Sequence, residues 1–410
     1  MPGGVMYDVI VVGARCAGSS VAMLLARRGY RVLLLERARF PQDTLSSHYI
    51  HQPGVALLAK WGLLDRVRDS NCPPIDHISY ETTGVRLDGC SLPVDGYRAG
   101  FAPRRFVLDP ILAGAAADAG ADFRDSCTVS GLLVEDGRVV GVKYRTSGGT
   151  ETTERARLVV GADGMRSFVA RTVGAGTVIE HPRMTCTYYS YWAGVPAHLE
   201  QYERPGRWIG VIPTNDDLTL IMAYFPQADF HKVRGNVEPA FMEAVRTTAP
   251  SMYERMAEGR QVEQFYGTGH QENYFRKAFG PGWVLVGDAV HHKDSITARG
   301  IADAFLQAEL LTDHIGEQLH DDPASDVMWR RYESDLTEHL LSPYQSTLSV
   351  AGLSPAPERT AFLQGLAGNQ ELVDRYFSTL SGACSLDDFY DNELLTEIAP
   401  AGRAAGEGWK

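Results

Sequence analysis

The sequence predicts an α/β protein in which a parallel-sheet domain is interleaved with an antiparallel β-sheet domain and followed by a helical C-terminal region. Three observations predict it. The chain opens with a β-α-β pattern built around glycines, "DVIVVGARCAG" at residues 8–18. After Gly176 it turns to aromatic and β-branched runs that read as antiparallel strands. A buried, parallel-type strand then returns in "GWVLVGDA" at residues 282–289. With 410 residues the chain is long enough for two joined domains.

Composition narrows the function. A net charge of −12 argues against a nucleic-acid partner and against general attraction to anionic membranes. No apolar run approaches the roughly 18 residues of a membrane span. The start lacks the basic region of a signal peptide. The six cysteines form no C-x-x-C and no Cys/His cluster, so no metal site is expected. They read as reduced thiols of a cytoplasmic protein.

The elements follow in order. Residues 8–12 form a strand, residues 17–28 a helix ending at Gly29, and residues 31–35 a second strand closed by Glu36. Residues 55–61 look helical, and residues 75–101 read as short strands with glycine turns. A helix is expected at 108–119. Residues 127–134 and 138–145 form a hairpin around Asp136-Gly137, and residues 157–160 a buried strand. Runs at 184–195, 207–213 and 218–225 form the second sheet, the last two joined by a hairpin loop at 214–217. Residues 238–246 and 252–257 are helical, and apolar spacing from Gly300 predicts a long amphipathic helix. The tail "PAGRAAGEGWK" is expected to be disordered.

Three motifs carry the chemistry. In "GARCAG", Gly13 and Gly18 frame a tight turn, Ala17 opens the following helix, and that helix points its first N–H groups at a phosphate. Arg15 replaces the usual middle glycine. A negative φ makes it tolerable, and its side chain is then free to fold over a diphosphate. Glu36 ends the second strand, where a carboxylate accepts ribose hydroxyls, and Arg37 is the cation beside it. The second motif, "LVVGADGMRSFVAR" at 158–171, runs a strand into Asp163-Gly164 and a helix. The third, at 282–305, ends a strand at Asp288 and opens a helix at Gly300-Ile301. That helix N-terminus would stabilise negative charge on a reduced flavin.

In this order the motifs resemble those of FAD-dependent monooxygenases of the p-hydroxybenzoate hydroxylase type, a superfamily shared with geranylgeranyl reductases and flavin-dependent halogenases. The resemblance spans most of residues 7–320. It implies a Rossmann-like FAD-binding domain, at 1–74, 102–176 and 276–330, interleaved with a β-sheet substrate domain at 75–101 and 177–275. Residues 331–410 form the helical C-terminal region. It implies that Glu36 binds the adenosine ribose, Asp288 the ribityl hydroxyls, and Gly300 and Ile301 the flavin pyrimidine. Asp163 belongs to a motif implicated in both FAD and NAD(P)H binding. In "PRRFVLDPIL", Arg105 would neutralise phosphate charge. The copy departs from the family pattern at Arg171, one residue late, and in "KDSITARG", where Ser295, Thr297 and Arg299 replace common proline and glycines.

No second glycine fingerprint marks a separate nicotinamide domain, so NAD(P)H is expected as a transient co-substrate. The resemblance favours a monooxygenase that uses O2 to insert one oxygen into an aromatic or polyketide-like substrate. A reductase of a prenyl-like chain is the alternative, but "FPQDTLSSHYIHQP" lacks that group's cysteine motif. Halogenation comes third, since "WIGVIP" has Gly210 for the second signature tryptophan. A ligand-sensing flavoprotein without catalysis is the remaining reading.

Strand alternation puts Thr187, Tyr189 and Tyr191 on one face and Tyr188, Ser190 and Trp192 on the other. Tyr189, Tyr191 and Tyr224 are the candidate substrate-lining residues, with plain sheet packing as the competing reading. His48 and His51 fall in the segment that lies near the mobile flavin in relatives. His48 is the candidate acceptor of a phenolic proton. His291 and His292 follow the third motif's Asp288.

Overall fold

The structure is a computed structural model and describes residues 6–316 and 326–390; the tail expected to be disordered lies outside the described residues. The strand Tyr7–Val12 sits inside a parallel sheet. Val9 lies opposite Val32 on one side and Leu158 on the other. Beyond these, Leu33 pairs with Asp122 and Val159 with Trp283, both in parallel. All six residues of "YDVIVV" are buried. The apolar run Val9–Val12 is what a parallel strand needs when both its faces are covered, and buried Asp8 ahead of it accepts from the Arg31 N–H. The helix Cys16–Arg27 packs against the helices Arg105–Asp118 and Gly300–Ile315.

Parallel strands present their C-terminal ends at one edge of the sheet. The segments after Val12, Leu35, Gly161 and Leu285 therefore meet there. The returning strand is shorter than expected. The paired strand is Trp283–Leu285, Val286 stays extended, and Gly287 turns the chain at φ +65°. The helix expected at 108–119 begins at Arg105, which places that arginine in its first turn.

The strand Glu151–Gly161 serves two partners. Its second half joins the parallel sheet, and its first half pairs antiparallel with Arg138–Thr146. The hairpin expected around Asp136-Gly137 is present, with φ +47° and +77° at those residues. Two positive φ values give the turn the twist that matches the strands it joins.

The second sheet runs from Arg260–Gln261 through Thr185–Ala193, Leu218–Pro226, Arg207–Thr214 and Leu199–Arg204 to Ile78–Thr82 and Val85–Gly89. Its neighbours are antiparallel except Leu199–Arg204 and Ile78–Thr82. The predicted alternation holds. Tyr189, Tyr191 and Tyr224 lie in one apolar cluster, and Tyr188, Trp192 and Phe225 in another. The helices Val237–Thr248 and Pro250–Glu258 cover the second face through Phe241, Val245 and Met252. A smaller sheet joins Thr177–His181, Asn273–Arg276 and His291–His292.

The C-terminal helices cover the first face. Leu363 of Pro357–Leu366 and Phe377 of Gln370–Ser381 share its cluster with Tyr80, Trp208 and Leu220. Arg359 anchors this cover by donating to buried Glu203, 2.6 Å away. Phe377 is fully buried, so Phe377→Ala should cost about 3–5 kcal/mol. Urea denaturation would show it as a lower midpoint, and an unchanged midpoint would mean that the cover contributes little.

Candidate functional site

A cavity of about 680 Å³ lies along the edge where the parallel strands end. Gly13, Arg15, Ala17, Glu36, Arg37, Arg105, Asp163, Asp288, Gly300 and Ile301 all line it. Residues separated by almost three hundred positions in sequence thus share one cleft. Gly18 does not line it. A Cβ at Gly18 would collide with the Gly13 carbonyl, so this glycine exists to let the helix press onto its own loop. Gly13, at φ +100°, leaves no room for a Cβ against the Ala162 carbonyl. A Cβ at Gly287 would strike the Ala17 methyl, which fits the third motif against the first.

Glu36 is buried at the end of its strand. Its two oxygens accept from the Ala14 N–H and the Ala38 N–H, each at 2.9 Å. The carboxylate therefore fixes the glycine loop, and its remaining lone pairs stay available for hydroxyl donors. Arg37 is exposed at the same end. Asp163 is used locally: it accepts from the Ser167 hydroxyl at 2.5 Å and from the Phe168 and Val169 N–H groups at 2.6 and 3.1 Å. It thereby caps the short helix Phe168–Thr172. Arg171 turns back to the Arg166 carbonyl.

Arg15 has φ −98°, so the loop tolerates it without strain. Its side chain lines the cavity, and it reaches Asp109 at 2.8 Å. Asp109 is fully buried and also binds Arg105 at 2.8 Å. Burial pushes the Asp109 carboxyl up, against the pull of Arg105 and Arg15. Sequence reasoning missed Asp109, although its four-residue spacing from Arg105 on a helix was a readable signal. Two arginines on one carboxylate leave a net positive charge beside the glycine loop.

Asp288 is exposed in the cavity, near enough to Arg105 and Lys293 to act on both, and its carboxylate makes no hydrogen bond to the described residues. The helix Gly300–Ile315 opens there without a side-chain cap. A Cβ at Gly300 would meet no protein atom within 4 Å, so protein packing does not demand a glycine at this position. Asp294 caps the turn Ser295–Thr297 and accepts from the Thr185 hydroxyl at 2.7 Å. Burial pushes it up to about 6.

His48 follows the cavity-lining segment 44–47 and is itself fully buried. Its backbone sits at φ +63°, a conformation that costs a non-glycine residue free energy. Its Nε2 is 2.6 Å from the Tyr191 hydroxyl, and its Nδ1 has no partner among the described residues. Burial pushes His48 down to about 3, with Arg104 and Arg105 adding to the effect and Asp43 opposing it. Burial holds the Tyr191 hydroxyl above its usual range. The Arg104 guanidinium lies 3.9 Å from the Tyr191 ring centre and pairs with Asp43 and Glu263 at 2.5 and 2.8 Å. Tyr189 packs edge-on against Tyr191, and the Tyr224 hydroxyl is 3.0 Å from that of Ser295. None of the three tyrosines lines the cleft itself; Ser295 carries the connection. His51 is also buried and pushed down to about 3 by burial.

His77, Asp88 and His198 gather on the antiparallel sheet. Both oxygens of Asp88 are held by Arg86, at 2.8 and 2.9 Å, so a guanidinium stands where a metal would have to approach.

The family model described as "FAD binding domain" matches residues 6–338. The chain belongs to this FAD-binding family. Among relatives, it is 30% identical over 352 residues to a digeranylgeranylglycerophospholipid reductase of Methanocella arvoryzae, covering 82% of this chain and 83% of the reductase. Among solved structures, the flavin-dependent brominase Bmp2 superposes with a TM-score of 0.83 at 17% identity, over 96% of this chain and 97% of that one. A probable FAD-dependent monooxygenase of Pseudomonas aeruginosa, PqsL, superposes with a TM-score of 0.68 at 18% identity, over 93% and 100%. The protein is an FAD-dependent oxidoreductase of the superfamily that the motifs resemble. The cleft fits FAD: it has a glycine loop closed to side chains, arginines beside it, a carboxylate at one end and an uncapped helix at the other. Among the described residues no helix is long and apolar enough to cross a membrane.

Two predictions follow from these charges. Asp109→Ala strands Arg105 in a buried site, where breaking a pair costs about 3–5 kcal/mol. Arg15→Ala leaves Asp109 still paired and removes a partly exposed partner, at a cost of about 1 kcal/mol. Denaturant titration should rank the variants in that order; equal losses would contradict the clamp. His48 and His51 bind protons more weakly folded than unfolded, so the unfolded chain gains protons between about 6.5 and about 3. Stability should therefore fall as pH drops through that window, by up to about 1.4 kcal/mol per pH unit for each histidine, and level off above it. His48→Gln should flatten the slope, and an unchanged slope would mean that His48 is not held neutral.

Proposed function

We propose that the protein is an FAD-dependent monooxygenase that uses NAD(P)H and O2 to hydroxylate a phenolic or other electron-rich hydrophobic substrate. Bound FAD supplies electron transfer from NAD(P)H and activation of O2. The chain's own residues hold and charge the site. Glu36 would accept the adenosine ribose hydroxyls, Arg15, Arg37 and Arg105 would face the diphosphate, and Asp288 would accept from the ribityl chain. Gly300 and Ile301 would lie along the flavin pyrimidine, and Asp163 would hold its loop in place for FAD and NAD(P)H. On this reading residues 1–74, 102–176 and 276–330 belong to the FAD-binding unit, 75–101 and 177–275 to the substrate unit, and the helices between 331 and 390 cover it.

The observation that carries the reading is the buried His48–Tyr191 pair. Burial keeps this imidazole neutral and lowers its proton affinity in the free protein, so it would act as an acceptor once a bound substrate hydroxyl lies against it. In the tautomer whose Nε2–H donates to the Tyr191 oxygen, the unpartnered Nδ1 carries the lone pair that would take a proton from a substrate hydroxyl. Removing that proton makes an aromatic ring electron-rich, which is what oxygen transfer requires.

Reduction of a prenyl-like double bond is the second reading, favoured by the Methanocella arvoryzae reductase. A substrate screen under isotopically labelled O2 separates the two. Oxygenation gives a product carrying one labelled oxygen atom; reduction gives two added hydrogens, also without O2. For the oxygenated product, His48→Gln should lower turnover by about 100-fold or more while FAD stays bound. Full turnover in that variant would remove His48 from the chemistry.

A further inference from the structure

Lys293 and Asp303 form an ion pair in which each side chain is only 5% exposed. Both line the cleft, beside Gly300 and Ile301. Asp303 lies in the first turn of the helix that opens there, and the Arg299 Nε is 3.7 Å from its other oxygen. Two cations therefore share one carboxylate, next to the partial positive charge of an uncapped helix N-terminus. Among the other titratable groups around them, burial keeps His291 neutral, well below its ordinary range, and Asp294 is committed to the Thr185 hydroxyl and the Ile296 N–H. Asp288, in the same cleft, acts on Lys293 through space and offsets part of this charge without pairing with it.

Stability does not account for the pair. Removing two charges from water costs several kcal/mol per ion, and well-packed apolar residues commonly replace such pairs at no loss. Burial works against the Lys293 charge, and Lys293 and Arg299 hold Asp303 ionised although burial opposes it. A charged pair maintained at this cost, in the wall of a cofactor cleft, needs a role in the cleft.

We propose that Lys293 and Asp303 are a redox-tuning pair, Lys293 stabilising the negative charge that bound FAD gains on reduction and Asp303 limiting and positioning that cation. The inference rests on FAD binding alone and holds whether the reaction is oxygenation or reduction.

The reduction potential of the FAD-loaded protein, measured anaerobically against redox dyes without substrate, tests it. Lys293→Met should shift the reduction equilibrium about tenfold toward oxidised flavin, about 30 mV down for a two-electron couple. Asp303→Asn should shift it about tenfold the other way. Lys293→Arg keeps the charge and should stay within threefold of the parent. The double variant Lys293→Met/Asp303→Leu removes a neutral pair and should move less than either single change. Retained flavin absorbance and thermal midpoint identify the folded variants. Should one charge-removing variant fail to fold, the other together with Lys293→Arg still decides. Single variants that bind FAD with an unchanged potential, or that both shift it in one direction, overturn the proposal. Because no substrate or O2 is present, a failure here is separate from any failure of the oxygenation reading.

Discussion

The strand Tyr7–Val12 is hydrogen-bonded in parallel to Val32–Leu35 on one side and to the end of Glu151–Gly161 on the other. This arrangement decides where chemistry can occur. Parallel strands cannot be joined by tight turns, so each is followed by a crossing segment that starts at the same edge. Three motifs far apart in sequence are thereby delivered to one cleft. The approach is close enough that side chains are excluded at defined points: Gly13 against Ala162, Gly18 against Gly13, and Gly287 against Ala17. A methyl group at any of these would separate layers that must touch.

Charge is arranged along the cleft with the same economy. At one end Glu36 ties the glycine loop, through the Ala14 N–H, to the turn after its own strand, through the Ala38 N–H, and Asp109 gathers Arg15 and Arg105. A single buried carboxylate thus orients two cations that would otherwise repel each other and extend into water. At the other end Asp303 does the same for Lys293 and Arg299. In each cluster two cations share one carboxylate, and under the proposed placement of FAD they would face its diphosphate and its reduced ring.

The antiparallel sheet is covered on both faces, and the two covers differ. Helices at Val237–Thr248 and Pro250–Glu258 close one face with aliphatic and aromatic side chains. The other face carries Tyr189, Tyr191 and Tyr224 and meets both the C-terminal helices and the loop after Asp288. His48 is held against that face at φ +63° by the Tyr191 hydroxyl and by the Ser46 hydroxyl, which accepts its N–H at 2.9 Å. A fully buried imidazole on a strained backbone thus stands between the sheet and the cleft-lining segment 44–47.

Much of this was legible in the sequence, because its causes are local. Apolar runs fix buried strands, glycines mark positive φ, and the spacing from Gly300 sets a helix. Those signals determined the fold class and the face assignment of the tyrosines, and the motifs, with Arg105 from the start of a helix, pointed to residues that line one cleft. What the sequence left open was every property that depends on partners distant in the chain. That Arg15 would turn to Asp109, that Asp163 would be absorbed in a helix cap, and that the C-terminal helices would close the tyrosine face were set by packing. So was the neutrality of His48, since a histidine's proton affinity follows its burial and its neighbours, and only the tertiary structure brings those neighbours together.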